Sequence, residues 1–225
     1  MSSVRGLLGI GRRSVRANAG PMAVLWGLAF LIGIAYYQVP QVASALAVFG
    51  RWQTEYGKLA SFVNRVITGG LVPGLFLCLV PALRPKRLAL TVGLQIAWSG
   101  LLGLPQDCWF AFQEWLFGPS AEFKIVLAKT LADQFGWAVF VMTPLNALFY
   151  TWMGNGFSGD FGGGRAWFAS LRRFYLVNLA MNWIIWIPVV AVIYSFPLPL
   201  QMTISGLVGA LWSLLCLKTG DAAAE

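Results

Sequence analysis

Apolar runs separated by short polar or basic stretches fill most of this chain. Six runs stand out, at residues 21–49, 62–83, 88–104, 123–150, 174–196 and 200–217. A helix needs about 20 apolar residues, and at least about 17, to cross the hydrocarbon core of a bilayer, and all six runs reach the lower limit. The pattern predicts an all-α fold: a polytopic transmembrane helical bundle with about six apolar segments, at least four to five of them spanning.

The composition agrees with this pattern. Hydrophobic residues make up 58% of the 225-residue chain and charged residues only 11%. Soluble domains carry about 25% charged residues, so we expect an integral, multi-pass protein surrounded by the lipid bilayer. The net charge of +8 fits loop lysines and arginines that set the orientation, and we expect no nucleic-acid partner.

The N-terminal region is basic and then apolar. Residues 1–20 hold four arginines and no acidic residue. Two interpretations stay open: an organelle transit peptide, and a basic tail that holds the first segment on one side of the membrane. Pro40 interrupts the first apolar run and predicts a kink there.

The distribution of Lys and Arg favours six spans. With six, the two tails and the even-numbered loops share one side of the membrane and carry 11 basic residues, and the other side carries 5. Without a span at the first run, the division would be nine to seven. Because basic residues mark one side of a membrane, we expect both termini on the positive side.

The fourth run carries polar residues that membrane helices rarely hold. Lys129 and Asp133 lie one helical turn apart, where they can shield each other. A charge at the centre of the hydrocarbon core costs at least about 2.5–3.5 kcal/mol, so the pair marks either a polar cavity or an anchor near the membrane surface. The candidate pore or polar core comprises Lys129, Asp133, Gln134, Asn146, Asn178 and Asn182.

Small residues predict close helix contacts. Gly70 and Gly74 lie four residues apart in the second run, as Ser99 and Gly103 do in the third. This spacing lets another helix approach closely, within the chain, in a homo-oligomer or with a protein partner.

The sequence gives no support for catalysis. The absence of histidine excludes His-ligated haem and the Ser-His-Asp triad. The glycine-rich residues 154–164 lack the Lys-Ser/Thr ending of a phosphate-binding loop. Asp107, Glu114 and Asp133 are too scattered for an acid–base set, so we expect no enzyme activity, no cofactor and no metal site.

Four motifs in order resemble the twenty-two-kilodalton peroxisomal membrane protein family, which includes the Mpv-type proteins of the mitochondrial inner membrane. The first is Thr68-Gly-Gly70 with Gly74, and the third is Lys129-Thr-Leu-Ala-Asp133-Gln134. The second motif comprises Trp109, Phe110, Glu114 and Gly118. The fourth comprises Asn182, Trp183, Trp186, Pro188, Pro197 and Trp212.

The resemblance implies a layout and a place in the cell. It covers residues 62–218 as a transmembrane core, with 21–61 an additional N-terminal segment and linker and 219–225 a short tail. Such proteins are cofactor-free and lie in organelle membranes; the mitochondrial inner membrane is favoured, with peroxisome and plastid open. Several polar positions of the family pattern are apolar here, and Asp107 stands where the family has a histidine before the aromatic pair.

Two functions remain. The leading one is a channel-like protein that passes small solutes or ions along a narrow polar path, in which Asp133 favours cations unless Lys129 neutralises it. The alternative is a structural or assembly protein that uses the same polar residues to hold its helices together.

Overall fold

The computed structural model describes residues 4–81, 84–158 and 164–210, with the backbone alone at 4–19, 21, 164–167, 170, 173, 177 and 181. These residues form a helical bundle with no strand. Its helices are α1 (Val4–Gln38), α2 (Pro40–Tyr56), α3 (Lys58–Leu79), α4 (Leu88–Phe117), α5 (Phe123–Gly154), α6 (Gly164–Ser195) and α7 (Leu198–Ala210).

Fewer helices than the predicted six are long and apolar enough to cross a membrane. Three straight helices meet the requirement, namely α3, α4 and α5. Two bent stretches raise the number to five if each counts as one span: α1 with α2, which bend by 106°, and the two parts of α6, which bend by 41°. The described residues therefore form an all-helical bundle with three to five candidate spans, compatible with a multi-pass membrane protein.

The bend between α1 and α2 explains part of the difference. Val39 has an extended backbone, and Pro40 begins α2 without an N–H group to continue the ladder of α1. The predicted kink is thus a sharp bend. At the other end, α7 has 13 described residues, about 20 Å at 1.5 Å per residue. The rest of the sixth run, Trp212 and the tail 219–225 lie outside the described residues.

Helix α4 joins the third run to the aromatic stretch that follows it. The sequence left open whether residues 105–118 extend the helix or lie along the interface; α4 continues through Pro105 to Phe117. Its 30 residues span about 45 Å, more than the roughly 30 Å hydrocarbon core. One end of α4 therefore reaches beyond the apolar layer.

Glycines bring α3 and α4 into close contact, as their spacing predicts. A Cβ at Gly70 would lie 2.6 Å from the Ile96 Cα, and one at Gly74 would lie 2.7 Å from a Val92 methyl carbon. From α4, a Cβ at Gly103 would lie 2.8 Å from the Ser61 carbonyl oxygen. Two backbones can approach this closely only where side chains are absent.

Helix α1 packs along α6. Leu25 and Ala29 are fully buried against Ile185 and its neighbours on α6. The Trp26 Nε1 donates a hydrogen bond of 3.2 Å to the Ile185 carbonyl. The N-terminal segment is thereby part of the same packed body as the core.

A polar contact fixes α2 to the same body. Asp107 Oδ1 on α4 accepts hydrogen bonds from Ser61 Oγ at 2.7 Å and from Gln53 Nε2 at 3.1 Å. Gln53 lies on α2 and Ser61 on α3, so one carboxylate joins three helices.

Large apolar side chains cover the outside of the bundle. Phe140 is 77% exposed and Leu79 is 69% exposed, and both lie on helices long enough to span. Exposed apolar surface of this extent suits contact with lipid tails rather than water.

Candidate functional site

A cavity with a wall of polar, aromatic and aliphatic side chains lies inside the bundle. Its volume is about 90 Å³, enough for several water molecules. Residues from α3, α4, α5, α6 and α7 line it. Its polar lining consists of Arg65, Ser99, Gln106, Asp133, Gln134, Asn146, Tyr150 and Asn182. Aromatic side chains, among them Trp98, Trp137 and Trp186, complete the wall.

Asp133 is the acidic residue of this cavity, and hydrogen-bond donors hold it. Its Oδ1 accepts from the Trp109 Nε1 at 2.8 Å and from the Tyr194 hydroxyl at 2.9 Å. Its Oδ2 accepts from the Gln134 Nε2 at 2.7 Å. Three donors suit an ionised carboxylate, which can only accept, and donors of this kind compensate a buried charge without a cation.

The Tyr194 hydroxyl adds α6 to this arrangement and joins it to Gln113 of α4. It donates to Asp133 and accepts from the Gln113 Nε2, and both Tyr194 and Gln113 are buried. Phe110 packs edge-to-face on the Tyr194 ring, with centroids 5.7 Å apart. Consecutive hydrogen bonds polarise one another in a low-dielectric interior, so these residues act as one unit.

Gln134 connects α5 to α6. Its Oε1 accepts from the Asn182 Nδ2 at 3.0 Å, and its backbone carbonyl accepts from the Trp183 Nε1 at 2.9 Å. Together with its bond to Asp133, these contacts satisfy both ends of the amide. The Asp133–Gln134 pair therefore bonds to α4 on one side and α6 on the other.

Two π-helical segments border the cavity. Val66–Leu71 interrupts α3, and Asp133–Met142 interrupts α5 beginning at the buried acid itself. In each segment a backbone carbonyl accepts a side-chain hydrogen bond from a neighbouring helix: Gly69 from Gln95 at 3.0 Å, and Gln134 from Trp183. π-helical turns are rare in proteins, and those that occur often lie at functional sites.

Lys129 does not shield Asp133 as its spacing predicts. Among the described residues no ion pair joins the two, and Lys129 interacts electrostatically with Glu114 of α4 instead. The reason is that the Asp133 oxygens bond to Trp109, Tyr194 and Gln134. Lys129 is only 1% exposed, and it is absent from the cavity lining.

The other predicted polar residues divide between the cavity and the helix packing. Asn146 lines the cavity and accepts a hydrogen bond of 3.3 Å from the Trp98 Nε1. Asn178 is buried, donates to the Phe174 carbonyl of its own helix at 2.8 Å, and is absent from the cavity lining. Four of the six candidates thus meet around one cavity: Asp133, Gln134, Asn146 and Asn182.

Several motif positions lie in the same region. Trp109 donates to Asp133, Phe110 and Trp186 line the cavity, and Trp183 bonds to Gln134. Pro188 lies inside α6, and Pro197 lies in the turn between α6 and α7. The second, third and fourth motifs therefore converge on the cavity.

Among the residues of this region that the sequence did not identify as site residues are Arg65, Gln113 and Tyr194. Arg65 had a usable signal, since it is the only charged residue in the run 62–83, and an ionisable residue inside a span marks a functional site by default. Gln113 and Tyr194 had none, because only the packing of α4, α5 and α6 brings them to Asp133.

The described residues contain no group of three or more His, Cys, Asp or Glu placed to hold a metal ion. Comparisons of the chain with protein-family models, curated proteins and solved structures find no match. The family relation that the motifs suggest therefore stays a prediction.

Proposed function

We propose that the protein is channel-like and passes small solutes or ions along a narrow polar path through its helical bundle. One observation carries the proposal: five helices surround an internal cavity whose wall includes Asp133, Gln134, Asn146 and Asn182. Polar residues at membrane depth are costly, and they commonly mark solute paths.

Two further features support this proposal. The motif resemblance agrees with it, because some members of that family are proposed to be weakly selective channels. The same resemblance and the basic N-terminus favour an organelle membrane, with the mitochondrial inner membrane first.

A second candidate is a structural or assembly protein without transport. It rests on the hydrogen bonds themselves, since Trp109, Tyr194 and Asn182 use the Asp133–Gln134 pair to join α4, α5 and α6. Interhelical hydrogen bonds of this kind contribute about 0.6–2 kcal/mol each in membranes.

The substitution Asn146→Leu distinguishes the channel from the structural protein. Asn146 accepts one hydrogen bond of 3.3 Å from Trp98 and none of the Asp133 network, so we expect Leu to make the wall apolar with little loss of folding. An apolar constriction dewets and closes a narrow path, so we expect flux of small solutes and ions into liposomes to fall about tenfold.

The control is Leu148→Val, because Leu148 lies two residues further along α5, is 44% exposed and does not line the cavity. It should conduct as the parent does. Folded parent protein that conducts no better than protein-free liposomes would contradict the channel. In that case Asn182→Leu should lower thermal stability or change the co-purifying proteins.

A further inference from the structure

Arg65 on α3 places a cationic group in the wall of the cavity. Its Nη2 donates to the Gln106 Oε1 and, at 3.3 Å, to the Ser205 Oγ. Its Nε is buried and has no hydrogen-bond partner among the described residues. A buried guanidinium with an unused N–H group is expensive unless something else compensates it.

No acidic residue of the described chain supplies that compensation. The ion pair found there joins Lys124 and Glu122 on the surface, 3.2 Å apart. Asp133 shares the cavity, but its two oxygens bond to Trp109, Tyr194 and Gln134. Hydrogen bonds thus satisfy the negative group, whereas the positive group keeps a free donor.

We infer that the cavity contains a binding site for a small monovalent anion, of the class of chloride, nitrate, formate or bicarbonate, with Arg65 as its ligand. A guanidinium presents a planar set of N–H donors that match oxyanions. The volume of about 90 Å³ suits an anion of a few non-hydrogen atoms with some of its water. The net charge of +8 raises the local anion concentration.

This inference deepens the proposed channel function, and any role of the anion site in transport rests on that function. It also reverses the ion preference expected from the sequence. The sequence predicted that Asp133 favours cations unless Lys129 neutralises it. With the Asp133 oxygens occupied by donors and Arg65 in the cavity wall, the path should prefer anions.

Anion binding is measured first, without any transport. The purified protein in detergent is titrated with sodium nitrate against sodium gluconate at constant ionic strength, and thermal unfolding is followed. A ligand that binds only the folded state raises the unfolding temperature in a saturable way. We expect saturable stabilisation in the parent and in Arg51→Gln, an exposed arginine on α2, and none in Arg65→Gln.

A linear or absent nitrate effect in the parent overturns the site, whether or not Arg65→Gln folds. Stabilisation that persists in Arg65→Gln overturns it as well. Arg65→Lys keeps the charge but not the planar donor set, so it should bind nitrate more weakly than the parent and more strongly than Arg65→Gln.

Transport is measured second, as the chloride-to-potassium permeability ratio in liposomes. We expect the parent to prefer chloride and Arg65→Gln to lose most of that preference. Saturable binding without flux supports the anion site and contradicts the channel. Flux without Arg65-dependent binding overturns the anion site and leaves the channel. A protein with neither property overturns both.

Discussion

At the scale of single residues, Asp133 is a buried acid that accepts three hydrogen bonds. It is 6% exposed and accepts from Trp109, Tyr194 and Gln134. The sequence identified it, because an acid in an apolar run is rare. It could not identify Trp109 and Tyr194 as its partners, because they lie on other helices.

This donor set predicts what Asp133→Asn does. An amide would turn one acceptor into a donor facing the Gln134 Nε2, and rotating the Gln134 amide would only move the mismatch to Asn182. A buried donor without an acceptor costs about 1–3 kcal/mol. We expect Asp133→Asn to lower the free energy of unfolding by about that amount, measured by thermal unfolding in detergent.

Glu122→Gln is the matched control for that change. It makes the same substitution of carboxylate by amide at a surface ion pair with Lys124, where the side chain is 63% exposed. Its effect should stay within about 0.5 kcal/mol. Equal stability of Asp133→Asn and the parent would contradict the hydrogen-bond arrangement described here.

At the scale of helices, the sequence predicted contacts better than it predicted local geometry. The Gly70 and Gly74 spacing correctly indicated a close helix approach, and the partner is α4. Neither π-helical segment was predicted, because one extra residue in a turn leaves no periodic signal in an apolar run. The segments follow from tertiary contacts such as Gln95 to Gly69.

The α3–α4 contact makes Gly70→Ala a sensitive test. The added Cβ would lie 2.6 Å from a backbone carbon of Ile96, so the helices must separate. Overpacking of this kind costs about 1–3 kcal/mol, and we expect thermal stability in detergent to fall accordingly.

Gly93→Ala supplies the comparison on α4 itself. A Cβ at Gly93 would meet nothing within 4 Å, and Ala is the better helix former by about 1 kcal/mol. This variant should match or exceed the parent in stability. If both variants behave alike, the close approach of α3 and α4 is wrong.

At the scale of the whole molecule, hydropathy predicted the class of fold but overestimated the number of straight spans. Hydropathy assigns one span to an apolar run whether the helix that it forms is straight or bent. The first run bends by 106° where α1 meets α2, and the described part of the last run lies in α7, which has 13 described residues. The side of the membrane on which each terminus lies stays a prediction from the 11-to-5 distribution of basic residues.

The cavity is the feature on which the proposed function depends. The sequence nominated six polar residues, and four of them line it, because α5 and α6 face each other there. It could not predict the cavity itself, which exists only where five helices fail to fill the space between them.

The most direct test is to fill that space. Ala138 lines the cavity and is 3% exposed, whereas Phe140, two residues further along α5, is 77% exposed. Ala138→Trp places an indole ring inside the cavity, and Phe140→Trp places the same ring on the outside of the bundle. The channel account predicts that solute flux into liposomes falls at least about tenfold in Ala138→Trp and is unchanged in Phe140→Trp. Parent-level flux from folded Ala138→Trp protein would contradict the account, because solutes would then cross by another route.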